Sequence, residues 1–254
     1  MGDKPPTSLP ATPPPSARAP TQGITLDETM QALEKAGTAQ TRAIYARHGI
    51  GANMFGVSYA TLAAFAKKVR LNQSLAEALW ETGNHDARVL ATMVADPRRI
   101  ASRMLDAWAR SMDNTTLAAA VAKLAARTPF AKEKTDRWSH LPAELVGQAG
   151  WDLLCQLALG DAELPDAYFE QRLATIERDI HTRKNRVRYA MNNAVISIGM
   201  RNPALQKAAL AAAKRIGPVE VDHGETDIRT PDVAASIARA AAQGAAGPHG
   251  TKQG

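Results

Sequence analysis

The sequence predicts an all-α fold built from antiparallel helix pairs stacked side by side. Three observations predict it. Hydrophobic residues make up 45% of the chain but aromatics only 5%; alanine supplies much of the difference, and alanine is the strongest helix former. Alternation of apolar and polar residues at period two, the mark of strands, is hard to find. Helix-start signals recur instead at short, even intervals along nearly the whole chain.

The elements follow in order. Residues 1–24, dominated by Pro, Ala, Ser and Thr, bury too little to offset ordering entropy and are expected to be disordered. Thr25 and Glu28 form an S/T-x-x-E pattern that opens the first helix, expected to run up to a glycine-containing loop, GIGAN. Ser58 precedes a helix with Leu62, Phe65, Ala66 and Val69 on one face. Leu75 to Trp80 is a short helix, and Asn84 caps the next. Asp96-Pro97 is expected to start a helix with proline in its first turn. Asn114 caps another, Pro129 opens one, Pro142 precedes one, and Pro165 begins one. The stretch DIHTRKNRVRYAMNNAVISIGMRN (179–202) spans a helix end and the next helix. Pro203 begins the penultimate helix. Thr230-Pro231-Asp232 opens the last, with the threonine accepting and the proline in the first turn. Residues 243–254 read as a flexible tail.

About eleven or twelve helices result, and successive pairs take roughly 35–45 residues, the period of HEAT-type repeats. Residues 25–242 are therefore expected to form one HEAT-like α-solenoid, with its concave face as the binding surface.

Composition narrows the function. The formal net charge is +6, which favours an anionic partner, nucleic acid first. The single cysteine, Cys155, excludes an intrachain disulfide and a cysteine zinc site, and reads as a buried small hydrophobe. No apolar run is long enough for a membrane span, and the proline-rich start is not a secretory signal. A cytoplasmic monomer with no membrane partner is expected. There is no P-loop, no strand-linked G-x-G-x-x-G and no G-x-S-x-G, so neither a nucleotide cofactor nor a serine hydrolase is expected. Asp222-His223-Gly224-Glu225 reads as a structural loop; no metal is expected. His85, Asp86 and Arg88 read as a helix cap and a solvated face.

Six stretches in order resemble one family: YARHGIGANMFGVSYATLAAFAKKV (45–69), LWETGNHDARVLATMVADP (79–97), RSMDNTTLAAAV (110–121), AELVGQAGWDLL (143–154), NRVRYAMNNAVISIGMRNP (185–203) and VEVDHGETDIRTPDVAASI (219–237). The set resembles the bacterial DNA alkylation repair proteins of the AlkD-like, HEAT-repeat class. That resemblance implies a stack of helical repeats whose basic concave face holds DNA. Active members excise cationic alkylpurines, with aromatic side chains at the backbone and a carboxylate that supports the sugar's developing positive charge. They carry a D-N-W-D-x-x-D motif, a later arginine, and a tryptophan in the penultimate region. By this resemblance, Thr115 replaces the tryptophan, Ala119 the catalytic aspartate, Gln148 the arginine and Asn193 the second tryptophan. No catalytic residue remains, and Asp106, Glu144 and Asp152 are the nearby acids.

The expected function is therefore DNA binding, to duplex or structured DNA, without the family's alkylpurine chemistry. The alternatives are a glycosylase using substitute residues and a protein–protein scaffold. The expected DNA contacts are Arg47, His48 and Asn53 around the first loop; Arg99, Arg103 and Arg110 along one helix face; and Arg183, Lys184, Arg186, Arg188 and Asn192 near residue 185. Lys184, Arg188 and Asn192 share a face at four-residue spacing, opposite a core stripe of Val187, Met191, Ala194 and Ile198.

Overall fold

A computed structural model describes residues 24–245, so the proline-rich segment (save Ile24) and most of the tail lie outside the described residues. Among the described residues there are thirteen α-helices, one 3-10 turn and no strand. They are α1 (Leu26–Ala36), α2 (Ala39–Arg47), α3 (Tyr59–Val69), α4 (Gln73–Glu81), α5 (His85–Val94), α6 (Ser102–Arg110), α7 (Thr115–Ala125), α8 (Ala131–Trp138), α9 (Glu144–Gly160), α10 (Asp166–Asp179), α11 (Asn185–Gly199), α12 (Pro203–Ile216) and α13 (Val233–Ala245). The all-α, stacked-pair expectation holds. Among the described residues, no helix is long and apolar enough to cross a membrane.

The capping residues start most helices where the sequence placed them. Thr25 and Glu28 close a reciprocal capping box on α1. Ser58, Asn84 and Asn114 each accept the backbone N–H three residues on, satisfying a donor that has no partner within the helix.

Three expectations about helix starts need correction. The first helix is two, α1 and α2, because Gly37 passes too close to the Phe55 carbonyl for any side chain: a Cβ there would lie 2.2 Å from its oxygen. Thr38 then caps α2 through the Thr41 N–H. The chain does not enter α6 at Pro97. The Asp96 carboxylate takes the Arg98 N–H and its carbonyl takes those of Arg99 and Ile100, so residues 97–99 turn and the helix begins at Ser102. At α13 the Asp232 carboxylate accepts from Ala235, so Asp232 is the cap and not Thr230.

α3, α5, α7, α9, α11 and α13 pack each on the next, forming one layer; α4, α6, α8, α10 and α12 lie on the other side. Within the first layer α5, α7, α9 and α11 run parallel with their N-termini abreast. Asn114 at the head of α7 meets His85 at the head of α5, Gln148 meets Thr115, and Glu144 meets Arg186. The longest helix, α9, is the spine: most of its turns are buried on all sides, as a core helix must be. Ala149, Leu153 and Leu157 join the core toward α1–α8, while Trp151, Leu154 and Ala158 join the core toward α10–α13.

A polar cluster ties α6 to α8 within this apolar interior. Lys134 is fully buried; its ammonium donates to Ser102 Oγ (2.6 Å), Asp106 Oδ2 (3.1 Å) and Glu133 Oε1 (3.1 Å). Trp138 Nε1 donates to Asp106 Oδ1 at 2.9 Å, and Arg137 pairs with the same carboxylate.

Candidate functional site

The four positions marked by the resemblance all fall on the first layer, two on α7 and one each on α9 and α11. Ala119 is exposed, one turn beyond the half-buried Thr115, and presents a methyl group. Gln148 is 7% exposed and its amide donates to the Thr115 carbonyl (3.3 Å) and to Asp152 Oδ2 (3.0 Å). Its Oε1 is buried without a hydrogen-bond partner among the described residues. Asn193 is half-buried.

Of the three nearby acids, two are committed elsewhere. Asp106 lies in the Lys134 cluster, and Glu144 accepts the Arg186 N–H at 2.8 Å. Asp152 is different. The residue keeps a partly exposed edge, while its carboxyl is surrounded by protein and receives only Gln148. Burial pushes its pKa up to about 6, against the opposing pull of the Gln148 hydrogen bond. Cys155, one turn on, is buried as expected; burial first, then the Asp152 charge, pushes its thiol up to about 12. A thiol so protonated is no nucleophile at neutral pH.

The raised Asp152 pKa has a consequence for stability. Its folded pKa exceeds its unfolded value, so the stability Asp152 itself contributes is fully present below about pH 4 and is lost as pH rises through about 6. Asp152→Asn is expected to stabilise the protein by about 1–3 kcal/mol at pH 7.5 and to change nothing at pH 4. Thermal melts of both proteins across that range check it; equal melting temperatures at pH 7.5 contradict it.

The expected basic contacts divide. Arg47 and His48 are exposed where α2 ends. Asn53 belongs to the following loop and is doubly held: its carbonyl accepts from His85 N (2.9 Å) and its side chain from Asn84 Nδ2 (3.3 Å). The same loop is anchored by Asp86, whose fully buried carboxylate accepts the N–H groups of Phe55 (2.6 Å), Gly56 (3.0 Å) and Val57 (2.9 Å). Gly56 takes φ +80° to let three successive amides converge. Asp86 and His85 are thus core residues and not a solvated face. Burial lowers the His85 pKa against the charges of Asp86 and Asp113, and the ring sits edge-on to Tyr45 at 5.3 Å. Arg88 spans the helix head, donating to the carbonyls of Trp80 and Ser111.

Arg99, Arg103 and Arg110 are exposed but do not form the expected stripe. Arg99 lies in the turn before α6, and α6 belongs to the layer opposite Thr115, Ala119, Gln148 and Asn193. Near the head of α11, Lys184 is exposed, Arg183 donates to the Ser139 carbonyl (2.9 Å), Arg186 is half-buried, and Arg188 reaches Asn185 Oδ1 at 3.5 Å. Asn192 does not join Lys184 and Arg188 on an open face. It is buried, and its amide donates to the Pro231 carbonyl at 2.9 Å.

Asn192 is one of three side chains on α11 that seat the long α12–α13 loop. Asn185 pairs with both backbone groups of Asp222, and His223 stacks edge-on against Tyr189 at 5.2 Å. His223 also meets Thr230 Oγ1, and Asp222 Oδ1 accepts from Gly224 N. These bonds match the structural role expected for residues 222–225. The core stripe of Val187, Met191, Ala194 and Ile198 is buried as expected.

Two residues on the open first-layer face were not singled out in the sequence. Tyr59, the first residue of α3, is 52% exposed, and the Lys123 ammonium on α7 lies 3.4 Å from its hydroxyl and 5.8 Å from its ring centre. The available signal was small: Tyr59 follows the cap and lies off the Leu62 face.

Comparison with known proteins adds the following. The family model described as DNA alkylation repair enzyme matches residues 29–227. Two uncharacterised proteins, from Listeria innocua and Listeria monocytogenes, are each 28% identical over 225 residues, covering 85% of this chain and 95% of theirs. A solved structure matches with a TM-score of 0.81 and 29% identity over 87% of this chain and 95% of its own. It is described as representing a new family of proteins related to the HEAT-like repeat DNA glycosylases with affinity for branched DNA structures.

Proposed function

Because the chain belongs to the DNA alkylation repair enzyme family, we propose that it binds DNA on the α3–α11 layer, prefers branched or bulged DNA to intact duplex, and lacks the family's carboxylate-assisted base excision. The observation that carries this reading is Ala119. Departure of a base leaves an oxocarbenium-like sugar, and the useful group there is a fixed negative charge. A methyl group supplies none. Gln148, in place of an arginine, is neutral, buried and occupied by Asp152 and Thr115.

Three features support DNA binding. The parallel N-termini of α5, α7, α9 and α11 lie abreast, so their helix dipoles put partial positive charge along one edge. Arg47 and His48 are exposed where α2 ends, and Lys184 is exposed at the head of α11. The similar solved structure comes from proteins with affinity for branched DNA.

A gel mobility shift at low salt tests the reading with a four-way junction, a bulged duplex and a plain duplex of equal length. The junction or bulge is expected to bind at least about tenfold more tightly, with affinity falling steeply as salt rises. Failure to bind any of the three overturns DNA binding. Incubation with alkylated DNA is expected to release methylated purines no faster than the protein-free control.

One observation favours a second reading, in which Asp152 replaces the missing carboxylate from the neighbouring helix. It predicts base release that rises with pH through about 6 as Asp152 ionises, and that Asp152→Asn abolishes.

A further inference from the structure

The open face of the first layer holds one pocket whose chemistry differs from the polar edge described above. α3, α5 and α7 enclose about 240 Å3 between Tyr59, Ala63, Ala66, Thr92, Met93, Ala120, Lys123, Leu124 and Arg127. Its walls are small and apolar, and no carboxylate lines it. At its margin stand an exposed aromatic ring and two cations. The Arg127 guanidinium donates to the Thr92 carbonyl at 2.9 Å, and the Lys123 ammonium sits over the Tyr59 ring, 5.8 Å from its centre. A cavity of about 150 Å3 already holds a benzene ring, so this one has room for a planar base. Lys123 lies one helical turn beyond Ala119 on α7.

A half-exposed tyrosine over a small apolar pocket fits one planar aromatic ring, and two cations without a carboxylate fit an adjoining anion. A nucleotide joins those two features. From this we infer that the pocket receives one unpaired nucleobase of a DNA strand, stacked on Tyr59, with the neighbouring phosphate held by Lys123 and Arg127. The inference rests on the DNA-binding reading and deepens it: a junction or bulge offers an unpaired base and an intact duplex does not. Stacking on an aromatic side chain tolerates any base, so the pocket reads the absence of pairing rather than sequence.

The test uses two DNAs of equal length, one fully paired and one with a single bulged 2-aminopurine. Tyr59→Ala is expected to weaken binding to the bulged DNA by about fivefold or more, to leave the paired DNA within about twofold, and to abolish the change in 2-aminopurine fluorescence on binding. Tyr59→Phe keeps the ring and is expected to behave as wild type. Lys123→Gln is expected to weaken binding and to lower the slope of log affinity against log salt by about one. Tyr59 is half exposed at a helix start, so its variants are expected to melt as wild type does. If wild type shifts DNA but Tyr59→Ala binds the bulge as tightly, or loses both DNAs equally, the pocket assignment is overturned and DNA binding stands. If wild type shifts no DNA, both readings fall.

Discussion

Asp86→Ala is expected to lower the free energy of unfolding by about 3–5 kcal/mol. The carboxylate has no exposure and accepts three consecutive backbone N–H groups at 2.6–3.0 Å. Removing it leaves all three donors without a partner, and each buried, unsatisfied donor costs about 1–3 kcal/mol, reduced by whatever water the loop admits as it relaxes. Asp86→Asn retains one acceptor oxygen but points an amide N–H at the remaining donors, so an intermediate loss is expected. Urea unfolding measures both, and a loss below about 1 kcal/mol for the alanine variant would show that the loop does not depend on this anchor. The same loop holds Asn53 and follows Arg47 and His48. Asp86→Ala is therefore also expected to weaken DNA binding without touching DNA itself, and to speed amide exchange at residues 55–57.

Lys134→Ala is the second large effect, again about 3–5 kcal/mol. Removing Lys134 takes one of two cations from the buried Asp106 carboxylate, leaving it Arg137 and Trp138, and empties the fully buried volume the lysine stem fills. Burial alone would push the Asp106 carboxyl up, but hydrogen bonds from Trp138, Arg137 and Lys134 hold it below its ordinary value. A depressed carboxylate contributes its stability above the unfolded pKa of about 4 and loses it as pH falls through the lower folded value. Without Lys134 that folded value rises, so acid unfolding of Lys134→Ala is expected to begin at higher pH than in wild type. Circular dichroism against pH shows the shift. Replacing both partners, Asp106→Asn with Lys134→Met, is expected to recover part of the loss, because no carboxylate is left buried and the amide oxygen still accepts from Trp138 Nε1. If the double variant is no more stable than Lys134→Ala, the cost lies in packing and not in the buried charge.

Helix starts were legible where a single residue performs the capping. Ser58, Asn84 and Asn114 each satisfy a local donor three residues on, and nothing distant competes. Boundaries failed where the deciding contact is distant or where two local signals compete. Gly37 divides the first helix because Phe55, eighteen positions later, passes beside it. At Pro97 a proline suited to a first helical turn lost to an aspartate that closes a turn. At α13, Asp232 outcompeted Thr230 for the cap, and Thr230 paired instead with His223.

The candidate site divides the same way. Thr115, Ala119, Gln148 and Asn193 were marked by a resemblance carried by six ordered stretches, and all four lie on α7, α9 and α11. Which acid lies beside them was not legible, since Asp106, Glu144 and Asp152 differ only in what surrounds them. A list of arginines also carries no layer: Arg103 and Arg110 obey helical spacing perfectly well, yet their helix packs on the far side.

The chain's composition and local patterning, then, determined an all-α stack and most of its helix starts, because propensity and capping are local properties. Tertiary packing alone decided that Asp86 is an anchor, that Asn192 seats a loop, that the Asp152 carboxyl is enclosed with only Gln148 for a partner, and that Tyr59 and Lys123 share a pocket. The partners of Asp86, Asn192 and Tyr59 stand about thirty to sixty positions away, and no local pattern encodes which of them will arrive.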